Sequence, residues 1–379
     1  MRRSKTVRAS LAAIATAAVS AGLVVLGGGA AQATASAASA PMPPHLSAPY
    51  FETWSGQSPA SVAAESGNKY LTMAFLQTDA PGSCTAYWNG ETTQPISKSV
   101  FGSDIAKIQA RGGNVIPSFG GGFADGNGVE LADSCTSVDS IAKVYESLVK
   151  TYGVTRIDLD IEGASVNNAA GVDRRNKAIA QVQRWAQRTG HSVQFAYTLP
   201  AAPTGLEYNS LDLLQNAVDN GARVDIVNIM TFDYWDGLDH DMAADTETAA
   251  AALHDQLAAL YPSKSSAKLW NMIGVIEMPG IDDYGPNETF TTADAVTVEN
   301  WAVSKGINTL SFWALQRDNG DCPGTVSAPT CSGVAQSDWY FSRAFEPFNY
   351  GLKTKARDLP AGVSPRPASP APAARGRRM

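Results

Sequence analysis

The sequence predicts an α/β fold, a single (β/α)8 TIM barrel without a large insertion domain. Short apolar runs alternate with longer helical patterns along roughly 300 residues, and eight of these runs have the length of a strand. Polar residues stand inside and directly after several of the runs, where a barrel places its functional groups. A doubly wound open sheet would give a similar alternation, but the count of eight and the polar residues inside strands favour the barrel.

The predicted strands are YFETW (50–54), KYLTMAFLQ (69–77), NVIPSFG (114–120), RIDLDIE (156–162), SVQFAYTLP (192–200), VDIVNIMTF (224–232), LWNMIGVIEM (269–278) and TLSFWAL (309–315). Many of the stretches between and after them open with Ser, Asp or Thr and close on Gly, as helix caps require. The clearest predicted helices are 103–113, 137–153, 173–190, 210–221, 245–262 and 291–306. The first gap offers only a short helical piece, 58–67.

The two ends of the chain differ in composition from its body. Residues 1–40 are predicted to be a signal peptide, because a basic start precedes an Ala/Val/Leu run and small-residue cleavage patterns. A permanent membrane anchor is the alternative, but Gly27 to Gly29 break the run. Residues 351–379 are predicted to be a disordered Pro/Ala/Arg-rich tail. The domain between them, 41–350, is therefore expected to be secreted and extracellular.

The charge of this central domain narrows its partners. The chain carries a net charge of −7, of which residues 1–40 contribute +4 and residues 351–379 contribute +6, so that −17 remains for residues 41–350. A body this acidic repels nucleic acid and anionic membranes, and neither is expected as a partner. The partner should be neutral or cationic.

Four cysteines in an exported chain suggest two disulfides, for which three connectivities exist. We predict Cys322–Cys331, which would close a short loop, and therefore Cys84–Cys135. A zinc site is the alternative, but the sequence has no CxxC and its four histidines show no ligand spacing. No metal or other cofactor is expected.

The stretch RIDLDIEGAS, residues 156–165, has three acids at every second position. Side chains alternate between the faces of a strand, so Asp158, Asp160 and Glu162 should share one face. Glu162 ends the predicted strand, and a barrel keeps its catalytic groups at the carboxyl ends of strands. Like charges this close raise the pKa of one member, which makes a carboxyl group a usable general acid near neutral pH.

Two other interpretations of this strand are a calcium loop and a structural role. A calcium loop would need an acid at its twelfth position, where Ala169 stands, and the residues between the acids are apolar rather than loop-like. A structural role would need hydrogen bonds or Arg156 to satisfy the acids. The catalytic interpretation is favoured over both.

Four motifs resemble those of glycoside hydrolase family 18, the chitinases and their relatives. The family signature at the end of strand four is D-G-x-D-x-D-x-E, and TRIDLDIE matches its last three acids but has Thr155 and Arg156 in place of Asp-Gly. The family's S-x-G-G is matched by residues 118–121, its M-x-Y-D resembles residues 230–233, and its strand-eight tryptophan is matched by Trp313. The motifs keep the family's order, and the likeness is greatest to the compact bacterial chitinases, whose strand four reads D-x-D-I-E-G-A.

The resemblance implies a role for each acid. Glu162 would protonate the glycosidic oxygen, while the substrate's own 2-acetamido carbonyl attacks the sugar to give an oxazolinium ion with net retention. Asp160 would orient the acetamido N–H and help to hold the proton on Glu162, and Asp158 would exchange a hydrogen bond or proton with Asp160. The expected substrate-binding residues are Asp233, Tyr234, Trp313, Met230, Tyr197, Ser118, Gly120 and Trp235.

Phe232 departs from the family pattern. The family has a tyrosine there that donates a hydrogen bond to the acetamido oxygen, and losing such a donor usually costs on the order of 10²–10³ in rate. A substitute is therefore expected. Tyr234, two positions further along, is the favoured candidate, and Tyr197 is the other.

Sugar rings present flat C–H faces that stack on aromatic side chains. Trp313 is expected to form the floor of the −1 subsite. The aromatic residues that could extend the groove are Trp235, Trp88, Tyr87, Trp54 and Phe119, whereas core packing is favoured for Trp185, Trp270 and Trp301. The run Gly120 to Gly122 is interpreted as backbone room for a sugar, since no helix is predicted to start there to cradle a phosphate.

The predicted function is that of a secreted, endo-acting chitinase that cuts β-1,4-linked N-acetylglucosamine polymers and acts as a monomer. Endo action is expected because neither a carbohydrate-binding module nor a sizeable insertion that would wall the groove is recognisable. The alternatives are an endo-β-N-acetylglucosaminidase acting on glycoprotein N-glycans and a non-catalytic chitin-binding lectin on the same barrel. Such lectins typically lack the acid, whereas Glu162 is present.

Overall fold

The computed structural model describes residues 41–355, so the predicted signal peptide and residues 356–379 of the predicted tail lie outside the described part. The strands are β1 (Leu46–Ser47), β2 (Tyr50–Glu52), β3 (Tyr70–Thr78), β4 (Ala86–Trp88), β5 (Asn114–Gly120), β6 (Arg156–Asp160), β7 (Gln194–Pro200), β8 (Ile226–Met230), β9 (Ile273–Glu277), β10 (Gly280–Asp282), β11 (Gly285–Phe290) and β12 (Thr309–Phe312).

The barrel wall is a parallel sheet in the order β1, β12, β9, β8, β7, β6, β5, β3, β2. Leu46 of β1 pairs with Thr309 of β12, and Tyr50 of β2 pairs with Thr72 of β3. The continuous segment 46–52 is therefore the first barrel strand, shared between its two neighbours, and it closes the ring of eight. The predicted barrel is confirmed.

The helices are α1 (Pro59–Ser66), α2 (Gly102–Ala110), α3 (Gly122–Asn127), α4 (Leu131–Ser134), α5 (Val138–Tyr152), α6 (Gly163–Val166), α7 (Ala169–Thr189), α8 (Tyr208–Asp219), α9 (Met242–Leu260), α10 (Ser266–Trp270), α11 (Thr292–Lys305) and α12 (Tyr340–Phe345). Helix α11 begins with a capping box of Thr291 and Asp294 and ends at Gly306, whose φ is 71°. Within residues 41–355, no helix is both long enough and apolar enough to cross a membrane.

The structure corrects three expectations about elements. The predicted strand 269–278 is shorter, because its start belongs to helix α10, where the Trp270 ring stacks on His254 of α9. A short apolar run cannot be assigned to strand or helix by periodicity alone. A helix, α3, does begin at Gly122, which was not expected. Two hairpins, β3–β4 and β10–β11, were also not predicted.

Apolar side chains on the outer face of the barrel pack against the helices. On β6, Ile157 and Leu159 are buried on this outer face, which leaves the alternate positions to point into the barrel.

Both predicted disulfides are present. The Cys84–Cys135 bond joins the β3–β4 loop to the end of α4, and its two Cα atoms are 4.7 Å apart. The Cys322–Cys331 bond closes the loop after β12.

Candidate active site

Asp158 lies inside the barrel and is held by four donors from four other strands. It accepts hydrogen bonds from the hydroxyls of Tyr50 (2.9 Å), Ser118 (2.7 Å) and Thr198 (2.7 Å), and from the Asn228 side-chain amide (3.3 Å). Burial raises the pKa of Asp158, and these four hydrogen bonds oppose the rise. The Ser118 side chain, which was expected to bind substrate, instead supports this buried aspartate.

The strand ends earlier than predicted, because β6 stops at Asp160 and Glu162 is the N-cap residue of α6. The backbone of Glu162 is still extended, and Asp160 and Glu162 line one cavity at the carboxyl end of the barrel. Burial, together with the charges of Glu162 and Asp158, raises the pKa of Asp160 well above its ordinary value. Burial also raises the pKa of Glu162, and a hydrogen bond from the Gly122 N–H opposes this rise. Two neighbouring carboxyl groups that both resist ionisation share protons as a pair. The predicted arrangement of the three acids is therefore present.

Asp125, on the short helix α3, is a further carboxyl group at this site that the sequence did not indicate. One of its carboxylate oxygens accepts a hydrogen bond from the Glu162 backbone N–H. Burial, followed by the charge of Glu130, raises the pKa of Asp125 to about 8. Asp125 thus fixes the backbone that carries Glu162. The only sequence signal was its position shortly after the Gly-rich end of strand three.

The cavity above these acids has a volume of about 230 Å³ and is lined by Tyr50, Gly122, Asp160, Glu162, Thr198, Met230, Phe232, Asp233, Ile276, Met278, Asp283 and Trp313. Trp313 is partly buried and stacks on Phe75, with ring centroids 5.5 Å apart and an interplanar angle of 14°. Trp313, Met230 and Asp233 are therefore brought together with Glu162, as expected. Asp283 was not predicted, because it lies in the β10–β11 hairpin.

Neither tyrosine proposed to replace the family's tyrosine lines this cavity. Tyr197 is fully buried on the outer face of β7, where its hydroxyl donates to Asn176 of α7 at 3.0 Å. The Tyr234 ring packs beside His240, with ring centroids 4.9 Å apart, and its hydroxyl has no hydrogen-bond partner within residues 41–355. Neither tyrosine is therefore brought together with Glu162, although this had been expected. Phe232 itself does line the cavity.

Asp233 lines the cavity and has an unusual backbone conformation. Its φ is 54°, and its N–H donates to Asp282 at 3.2 Å. Burial, followed by the charges of Asp282 and Asp283, raises the pKa of Asp233 to about 8. Its Oδ1 has no hydrogen-bond partner among the described residues. The raised pKa favours the protonated form of this carboxyl group.

Gly120 is required by the barrel rather than by a sugar. Its φ is 99°, and a Cβ at this position would lie 2.0 Å from the Asp160 carbonyl oxygen. Gly122, by contrast, lines the cavity, and a Cβ there would lie 3.6 Å from the Glu162 carboxylate. The expected backbone room for a sugar therefore lies at Gly122, not at Gly120.

Only some of the predicted groove aromatics are at the open end of the barrel. Trp54 is 44% exposed and lies 6.2 Å from Trp313 between ring centroids, and Trp235 is 77% exposed on the loop after β8 but does not line the cavity. The expectation was wrong for Trp88, whose buried indole N–H donates to Tyr152, and for Phe119, which packs on Tyr145 of α5. Tyr87 stays a prediction. The residues Trp185 and Trp301 are buried, and Trp270 packs between helices, as predicted.

This barrel with an acidic strand end defines a class of protein, the glycoside hydrolases. The sequence model of the family described as glycosyl hydrolases family 18 matches residues 47–274, and the chain belongs to this family. The predicted resemblance is therefore confirmed.

Relatives in this family carry chitinase names. The chain is 31% identical over 321 residues to a probable bifunctional chitinase/lysozyme of Escherichia coli, covering 81% of this chain and 35% of the relative. It is 31% identical over 289 residues to Endochitinase 11 of Metarhizium anisopliae, covering 73% of this chain and 53% of the relative. The chain therefore spans between about a third and about half of the length of these curated relatives.

Solved structures agree with this relationship. The catalytic domain of a hyperthermophilic chitinase from Pyrococcus furiosus matches with a TM-score of 0.72 and 29% identity, covering 84% of this chain and 99% of that domain. A catalytic-site mutant of active domain 2 of the thermostable chitinase from the same organism, complexed with chito-oligosaccharides, matches with a TM-score of 0.71 and 30% identity, covering 83% of this chain and 98% of that domain.

Proposed function

We propose that this protein hydrolyses β-1,4-linked N-acetylglucosamine polymers. The observation that carries the proposal is that Glu162, Asp160 and Trp313 line one cavity. An acid, a second carboxyl group and an aromatic ring are thereby placed around the space for a single sugar. The chitinase names of the relatives support this substrate class.

In the proposed reaction, Glu162 gives its proton to the glycosidic oxygen while the bond from that oxygen to the sugar C1 breaks. The carbonyl oxygen of the same sugar's acetamido group forms a new bond to C1, giving an oxazolinium ion, and the rest of the chain leaves as an alcohol. The Glu162 carboxylate then takes a proton from water as the water oxygen attacks C1 and the oxazolinium ring opens. Two inversions give net retention.

The neighbouring aspartates would prepare the acetamido group and the proton. Asp160 Oδ1 has no hydrogen-bond partner within the described part of the chain, so it is free to accept the acetamido N–H. Asp158 keeps its carboxylate inside four hydrogen bonds and favours a proton on its neighbour Asp160. Asp160 in turn would favour retention of the proton on Glu162 until the leaving oxygen arrives.

Asp233 would supply the hydrogen bond that the family's tyrosine gives to the acetamido oxygen. It lines the cavity beside Phe232, and burial raises its pKa to about 8, so that its protonated carboxyl group can donate. This assignment replaces Tyr234 and Tyr197, which lie outside the cavity.

The mode of cleavage and the location of the protein belong to the same proposal. Endo action is supported by Trp54, which is 44% exposed and lies beside Trp313 at the open end of the cavity. Such a site can bind the interior of a polymer, and the early products should be of mixed lengths. Export is supported by the signal-peptide pattern of residues 1–40 and by the cysteine content.

The test uses a fully acetylated chitin hexasaccharide, a high-mannose glycopeptide and the Glu162→Gln variant. We expect wild type to cleave the hexasaccharide and to leave the glycopeptide intact, and the variant to bind the hexasaccharide without cleaving it. Cleavage of the glycopeptide alone would identify an endo-β-N-acetylglucosaminidase. Binding without cleavage by wild type would identify a lectin and overturn the proposed activity.

A further inference from the structure

A second cavity, which we call the side cavity, opens beside the candidate active site. It has a volume of about 560 Å³ and lies at the carboxyl ends of β2 and β12. Trp54 lines it, and the Trp54 ring centroid is 6.2 Å from that of Trp313 in the active-site cavity. A polymer that lies across Trp313 can therefore place a neighbouring sugar in the side cavity.

The side cavity is acidic. Four carboxyl groups line it, from Glu52, Asp318, Asp321 and Asp338, and no Lys, Arg or His is among its lining residues. Asp318 is already satisfied, because it accepts hydrogen bonds from the backbone N–H groups of residues 341 and 342 and from a glutamine side chain. Asp321 and Asp338 are exposed to solvent at the rim. Glu52 is different from all three.

Glu52 is a buried carboxyl group that lacks a hydrogen-bond donor. It is only 8% exposed, and its carboxylate makes no hydrogen bond or ion pair with any residue in 41–355. Arg317, whose charge acts on Glu52, donates from its guanidinium to the carbonyl oxygens of Pro279, Ile281 and Ala328. Burial raises the pKa of Glu52 to about 7, and the Arg317 charge opposes this rise. A buried carboxylate left unpaired is costly, so a ligand that brings a cation here gains from satisfying it.

We propose that the side cavity binds a sugar residue with a free 2-ammonium group, that is, a deacetylated unit of the polymer, with Glu52 as its counter-ion. This inference rests on the proposed chitinase function. The sugar at the reacting centre needs its acetamido group, which acts as the nucleophile, but a neighbouring sugar does not. Trp54 offers an aromatic face, and an ammonium group near an indole ring is attracted by its π-system.

The proposal is tested with two hexasaccharides of this polymer, one fully acetylated and one partly deacetylated at random. The products are sequenced by mass spectrometry, and kcat/KM is measured for both substrates. For wild type we expect free amines to be enriched at one fixed position relative to the cleaved bond. In Glu52→Gln we expect that enrichment to disappear and the ratio of kcat/KM for the deacetylated over the acetylated substrate to fall about tenfold. If part of the variant is misfolded, kcat/KM falls by the same factor for both substrates, so the ratio of the two kcat/KM values does not change.

The control is Glu65→Gln, which makes the same charge change at an exposed position of α1 outside the side cavity and should leave the ratio unchanged. An equal fall in this control would overturn the assignment to Glu52, as would random placement of free amines in the wild-type products. If wild type cleaves neither hexasaccharide, the proposed chitinase function fails. If it cleaves the acetylated one but shows no amine enrichment, only the side-cavity proposal fails.

Discussion

Replacing Tyr50 by Phe removes one of the four hydrogen bonds that hold the buried Asp158 carboxylate. The Tyr50 hydroxyl donates to Asp158 Oδ2 at 2.9 Å, and both side chains are buried. The donors Ser118, Thr198 and Asn228 remain. We expect the free energy of unfolding to fall by about 1.5–3 kcal/mol while Asp158 is ionised, because a hydrogen bond to a charged group contributes about this much.

The size of this effect depends on pH. Burial raises the pKa of Asp158 in the folded protein, and the Tyr50 hydroxyl opposes the rise, so the variant should have a still higher pKa. Because the pKa is higher in the folded than in the unfolded state, the protonation of Asp158 contributes to the free energy of unfolding. This contribution is fully present below the unfolded-state pKa and is lost as the pH rises through the folded-state pKa. The free energy of unfolding of the variant should therefore fall more than that of wild type as the pH rises. At low pH only a neutral hydrogen bond is missing, which costs about 1 kcal/mol.

The measurement is urea denaturation of both proteins from about pH 3, which is below the unfolded-state pKa of an aspartate, to about pH 9. The matched control is Tyr145→Phe, since Tyr145 is also buried but its hydroxyl has no hydrogen-bond partner among the described residues. The control should show no loss of stability. This account of Asp158 would be refuted if the loss of unfolding free energy in Tyr50→Phe stayed constant across the pH range. It would also be refuted if Tyr145→Phe lost as much unfolding free energy as Tyr50→Phe.

Three further predictions concern the general acid Glu162, the proposed contact of Asp233 with the acetamido group, and the disulfide that closes the longer loop. Glu162→Gln should lower kcat on the chitin hexasaccharide by about 10²–10⁴ and leave its affinity, measured by calorimetry, nearly unchanged; a much smaller loss would contradict its role as proton donor. Because burial raises the pKa of Asp233 to about 8, wild-type kcat/KM should fall as the pH rises through that value and removes the proton. Glu162 must also keep its proton to act, so Asp233→Asn, which keeps a donor and does not titrate there, should change the position or steepness of this alkaline fall, and a pH profile identical to that of wild type would rule out Asp233 as the donor. Replacing both Cys84 and Cys135 by Ser should lower the free energy of unfolding by about 2–5 kcal/mol in urea denaturation, and an unchanged midpoint would show that the bond does not stabilise the fold.

The acidic strand was predictable because a strand imposes its own period on the residues it contains. Asp158, Asp160 and Glu162 lie at alternate positions, and β6 with the extended residues that follow it places them towards the barrel interior and the cavity. The same rule explains why Tyr197 was a poor candidate. Leu159 pairs in register with Tyr197, while Asp160 pairs with Thr198, so Tyr197 shares the outer face with the apolar residues.

Tyr234 was misplaced for a different reason. The chain has left β8 by this point, and Asp233 and Trp235 have φ values of 54° and 59°. A left-handed backbone turns successive side chains in directions that a period of two does not describe. Tyr234 therefore packs on His240 instead of facing the cavity. The sequence did not indicate Asp125 and Glu52, because burial raises the pKa of each carboxyl group and burial is a property of the folded chain.

By itself, the sequence determined the eight strands, the order of the motifs and the three acids on one strand face, because strand and helix periods are local and each residue's face follows from its neighbours. Only the tertiary structure decided which distant groups meet those acids. Tyr50 from β2, Asp125 from α3 and Asp233 from the loop after β8 reach the site because the barrel closes and brings the carboxyl ends of its strands together. Contacts between residues far apart in the chain depend on closure and register, which no local pattern encodes.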